Sequence, residues 1–140
     1  MTSRTATGVR GFDYEWLASD ASGHVGFFST AGGGYVPEVC LEDVDAYDAA
    51  VEAILSMEPS THHAPQVERI DTWQRMAQRG VFAYDADYFG GPYRIVATPE
   101  HPIRSDGLPA AAASVVRRLT LSHLRFSELS EVAAELLARR

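Results

Sequence analysis

Apolar and polar positions alternate or recur along most of this chain, and the period changes from segment to segment. Tyr14–Ser19 and His24–Thr30 are rich in aromatic and branched residues and read as two strands. Asp20-Ala-Ser-Gly23 between them has hairpin-turn chemistry, with glycine where positive φ is wanted. This pairing is antiparallel, and Trp16, Phe27 and Phe28 supply its core face. Ala31-Gly-Gly-Gly-Tyr-Val-Pro37 breaks the second strand. From Glu42 to Met57 the period is helical, with Val44, Tyr47, Val51, Ile54 and Leu55 on one face.

The loop Glu58–Pro65 leads to a short helix over Ile70–Arg79, with Asp71 as N-cap and Gly80 as its stop. Val81–Asp85 and Tyr93–Thr98 read as a second strand pair joined by a loop with Gly90-Gly-Pro92. Pro109 opens a helix running to Arg118. Leu119–Arg125 is apolar enough for a fifth strand. Ser127 would cap a last helix with Leu129, Val132, Leu136 and Leu137 inward. The predicted order is ββααββαβα, an α+β fold with a mostly antiparallel sheet of about five strands and helices packed on it. Residues 1–11 read as a loose tail and 12–140 as a single domain.

Composition narrows the chemistry. Apolar content of 46% and charged content of 22% suit a globular chain rather than a disordered one. Cys40 is the one cysteine, so no intrachain disulfide can form. No apolar run reaches the roughly 20 residues that span a bilayer, and the opening stretch lacks the apolar core of a secretory signal. The expectation is a cytoplasmic protein without a membrane partner. The net charge of -7 is uneven: residues 1–70 carry three arginines against eleven acids, residues 71–140 nine against eight. Such acidity disfavours nucleic acid as a partner and favours a basic protein surface, or serves solubility alone.

Candidate catalytic motifs fail on their chemistry. Gly32-Gly-Gly34 lacks the lysine that a phosphate loop requires, since the chain contains none, and Tyr35-Val-Pro37 follows where a helix should open. His62-His63 is a poor chelate because neighbouring side chains point apart. No metal or cofactor is expected, and no catalytic residue is assigned. Glu42 and Asp43 oppose ionisation of Cys40, which reads as a buried thiol. Two surfaces remain as partner-binding candidates. Asp45, Asp48 and Glu52 form an acidic stripe on the first long helix, suited to a basic surface or merely solvated. Tyr84, Asp85, Asp87 and Tyr88, running to Phe89, combine aromatic contact area with carboxylates. The same cluster could hold a small molecule or do acid–base work, or it could be a strand end with its aromatics folded inward.

Glu15–Pro37 carries a W-x-x-x-D-x-x-G-x-V-G-x-F-x-T-x-G pattern that ends in proline, and Gly80–Asp85 and Tyr93–Pro99 continue the likeness. In these stretches the chain resembles small bacterial proteins similar to the immunity proteins of polymorphic toxin systems. The resemblance covers about residues 14–103 and brings no established catalytic residues. It implies a cytoplasmic protein that neutralises a cognate toxin by binding it over a basic active-site surface. A homodimer formed through the Trp16 hairpin is a further expectation, as is a small-molecule-binding domain or enzyme built on the Tyr84–Phe89 loop.

Overall fold

The computed structural model describes residues 14–60, 71–87 and 89–138. The expected tail, the His62-His63 doublet, Ile70 and Tyr88 lie outside the described residues. The strands are β1 (Glu15–Asp20), β2 (Val25–Ser29), β3 (Phe82–Asp87), β4 (Gly90–Ala97), β5 (Thr120–Leu121) and β6 (Glu131–Val132). The helices are α1 (Glu38–Leu41), α2 (Val44–Leu55), α3 (Thr72–Gln78), α4 (Ala110–Val116) and α5 (Ala134–Ala138).

The α+β class stands, but the sheet departs from the expected one. Among the described residues it has six strands in the order β5-β1-β2-β3-β4-β6, and it is mixed. The two hairpins, β1–β2 and β3–β4, are antiparallel as their turn chemistry dictates. They join edge to edge through a parallel β2–β3 pair in the middle of the sheet. The connection between β2 and β3 passes through α1, α2 and α3, and a long helical crossover permits parallel pairing where a tight turn cannot. A second parallel pair joins β5 to β1.

The C-terminal third is where the expected element types fail. Leu119–Arg125 yields only the two-residue β5, because Leu124 N–H turns back to Leu121 C=O. The expected helix from Ser127 is a 3-10 turn (Phe126–Glu128), then β6, then the short α5. Here the sheet edge competes with the helix. Ile95 N–H takes Ser130 C=O, and Val132 pairs with Tyr93. A short isolated helix bears a nucleation cost that edge pairing avoids. The inward apolar positions are nevertheless those anticipated: Val132 and Leu137 are buried, Leu129 and Leu136 half-buried.

Opposed residues in neighbouring strands share a face. One face carries Trp16, Phe28, Tyr84 and Tyr93, which meet as rings. Phe28 stacks on Trp16 with centroids 4.1 Å apart and on Tyr84 at 5.0 Å. Tyr93 meets both Trp16 and Phe28 edge-on. Phe126 closes this face from the C-terminal segment. Gly26 makes the closure possible, since a Cβ there would come within 2.8 Å of the Phe126 ring. Polar tips are satisfied: Trp16 Nε1–H donates to Tyr93 Oη, Tyr93 Oη to Tyr35 C=O, and Tyr84 Oη to Leu129 C=O.

The opposite face carries Leu17, Phe27 and Ala83. Helices α2 and α4 cover β1, and α3 covers β3 and β4. Helix α2 starts at Asp43, whose carboxylate accepts Ala46 N–H, and buries Tyr47, Ala50, Val51 and Ile54. Cys40 and Tyr47 are neighbours beneath it. Burial pushes the Cys40 thiol from its usual 9.0 up to about 12, and raises the Tyr47 phenol as well. Between those limits the native thiol stays protonated while the unfolded chain loses its proton. The unfolded state then binds fewer protons, so stability falls as pH rises through 9 and beyond. Cys40 alone supplies a slope of up to about 1.4 kcal/mol per pH unit. Urea titrations from pH 8 to 11 are expected to reveal the decline, shallower in Cys40→Ala; identical slopes in both proteins contradict it.

Candidate functional site

Ser29 stands at the crossing of a polar row. Register places Glu15 opposite Ser29, Ser29 opposite Asp85, Asp85 opposite Arg94 and Arg94 opposite Glu131. Five residues from five strands therefore share one face at one end of the sheet. One register step inward the same face is apolar, with Leu17, Phe27 and Ala83. The row marks the border of the core beneath α3.

Helix α3 contributes the sixth member. Asp71 caps it by accepting Gln74 N–H, and Met76 and Gln78 are buried. That orientation carries Trp73 over Ser29. Trp73 Nε1–H donates to Ser29 Oγ at 2.9 Å, and Ser29 Oγ–H donates to Asp85 Oδ1 at 2.6 Å. The serine hydroxyl has one proton, and the charged acceptor at 2.6 Å outweighs the Tyr84 carbonyl at 3.4 Å. Ser29 is buried and its proton is committed to a carboxylate, with no described histidine bonded to it, so the triad geometry of a nucleophile is not formed. Arg94 bonds Glu131 at 3.4 Å; both side chains are exposed, and such a pair contributes little stability.

Beyond Asp85 the strand ends at a turn. Asp87 Oδ1 accepts Phe89 N–H, and Gly90 and Gly91 hold positive φ. Phe89 is 87% exposed. The three-glycine loop meets this tip: a Cβ on Gly34 would strike Tyr93 Oη and Ala86, and one on Gly90 would touch Gly33 C=O. Gly32, Gly33 and Gly34 all turn their N–H groups to Thr30, onto its Oγ1 or its C=O. Those amides close a turn, so the loop offers no open amide cradle for a phosphate.

The sequence-nominated residues are thus dispersed. Asp85 is half-buried in the polar row, and Asp87 is exposed at the hairpin tip. Tyr84 is wholly buried with its hydroxyl bonded to main-chain carbonyls, so it contributes packing rather than contact area. Burial, and then the charge of Asp20, raises its phenol. Asp45, Asp48 and Glu52 line the exposed side of α2, which lies over β1 and α4 and away from the hairpin. Partial burial and the charge of Asp45 raise the Asp48 carboxyl. Trp16 itself is buried in the interior. Ser29, Trp73, Arg94, Glu15 and Glu131 were not nominated. Only register aligns them, and no local motif marks it.

Among the described residues, no three His, Cys, Asp or Glu side chains cluster as metal ligands, and no helix is long and apolar enough to cross a membrane. No protein-family model, curated protein or solved structure matches the chain.

Proposed function

We propose that this chain is a protein-binding module that neutralises a cognate bacterial toxin by covering a basic surface on it. The observation that carries the reading is the acidic outer side of α2. Asp45, Asp48 and Glu52 stand exposed on one capped helix, and Asp48 feels the repulsion of Asp45. Like charges held three residues apart raise the energy of the free protein, and a cationic partner removes that cost. The overall charge of -7 would steer such a partner from a distance. The resemblance of Trp16–Pro37 and Gly80–Pro99 to immunity proteins names the class of partner, and with it a cytoplasmic place of action.

Co-expression with the toxin encoded beside the gene tests the reading. Cells carrying both are expected to grow, and the two proteins to co-purify. Reversal of the stripe (D45K/D48K/E52K) is expected to weaken the complex at least tenfold, mostly through slower association, and to flatten its salt dependence. Neither rescue nor a complex in the unaltered pair would sink the proposal. A complex indifferent to the reversal moves the interface off α2.

A further inference from the structure

We infer that Trp73 and Asp85 together form a receptor for one cationic side chain, a guanidinium before an ammonium, presented by a protein partner. The inference rests on the protein-binding reading above and names the group that the partner would insert.

Both residues meet at a single hydroxyl. Trp73 gives its N–H to Ser29 Oγ, and Ser29 gives its proton to Asp85 Oδ1. The indole therefore has its polar edge occupied. What it can still offer is its π face, which attracts cations. Asp85 has one oxygen engaged. Its Oδ2 accepts no hydrogen bond from the described residues, and among them no arginine or histidine forms an ion pair with it. The cation opposite it in register, Arg94, leans instead to Glu131. Among the described residues, a half-buried carboxylate in an acidic protein is thus left without a counter-charge, beside a half-buried indole.

The chemistry selects the occupant. A guanidinium is planar, so it can lie along the indole while its N–H edge reaches the carboxylate. An ammonium offers the charge without the stacking plane. A divalent ion would need more oxygen ligands than this one carboxylate gives, and no such cluster is found among the described residues. Ser29 sets the spacing, because it fixes carboxylate and indole at once and is itself buried.

The molecule carries its own internal control. It has two tryptophans, and Trp16 is buried in the opposite face with its N–H on Tyr93. In a nitrogen-15 spectrum the two indole N–H signals can be followed separately, with Trp73→Phe assigning them. Titration with acetyl-Gly-Arg-Gly-amide is expected to move the Trp73 signal saturably and leave Trp16 in place. The citrulline analogue, similar in shape but uncharged, is expected to move neither, and the lysine peptide to bind more weakly. Asp85→Asn preserves shape and a Ser29 acceptor, and is expected to weaken arginine-peptide binding at least tenfold. Equal response to arginine and citrulline, equal response of both indoles, or no response overturns the inference. A toxin complex unaffected by Asp85→Asn and Trp73→Phe overturns it too, while leaving neutralisation intact. A saturable arginine response in a protein that rescues no cell leaves the receptor standing and removes the toxin.

Discussion

Replacing Asp20 by alanine is expected to lower the unfolding free energy by about 3–5 kcal/mol, a large part of what a domain of this size holds in reserve. Asp20 is buried at the end of β1. Its Oδ1 accepts Ser22 N–H and His24 N–H, at 2.9 and 3.0 Å, and so ties the hairpin turn. Its Oδ2 accepts Phe126 N–H at 2.7 Å, reaching 106 residues along the chain. Hydrogen bonds to an ionised acceptor are among the stronger ones, and alanine leaves three donors without it. Asp20→Asn separates the two halves. An amide oxygen can still serve the turn, but its NH2 confronts Phe126 N–H, donor against donor, so an intermediate loss of about 2 kcal/mol is expected. Urea denaturation measures both. A loss below about 1 kcal/mol for the alanine variant would mean that water replaces the carboxylate, contrary to the burial at this position.

Phe28→Ala is expected to cost about as much, roughly 3–5 kcal/mol, through another mechanism. Phe28 is fully buried and touches four other rings, stacked on two and edge-on to two. Truncation leaves a cavity that the neighbours cannot fill by small movements, because Trp16, Tyr84 and Tyr93 are each pinned by a hydrogen bond at the tip. The melting temperature is expected to fall by about 10 °C or more, with loss of near-ultraviolet dichroism from the stacked rings. Val96→Ala, on a half-exposed position of β4, is the comparison. If the two variants melt together, the ring cluster is not the keystone described.

Both residues also show what could be read in advance. Trp16, Phe27 and Phe28 announce a core strand by composition, and Asp20–Gly23 announces its turn. Such signals are local, so the first hairpin, the helix after it and the second strand pair follow from the sequence with shifted ends. The partnership of β2 with β3 is not local. It joins residues more than fifty positions apart, and no turn residue encodes its direction. The last segment misleads for a related reason. Leu129, Val132, Leu136 and Leu137 have helical spacing, yet the open edge of β4 captures part of their backbone. The candidate site was half legible. Asp85 drew notice through its aromatic neighbours, whereas Ser29 and Trp73 acquire meaning only when strand register and the placement of α3 bring them to it. Tyr84 drew notice for the same local reason as Asp85, but alternation sends it to the opposite face, into the core.

The pairing of β5 with β1 has a consequence for how the protein is made. β1 obtains its outer neighbour only when residues 120–121 have been made, and Asp20 obtains its third donor only with residue 126. Until then the aromatic face of the first hairpin lacks Phe126 and cannot close. Until those residues have been made, the first hairpin therefore presents an uncovered aromatic face to its surroundings.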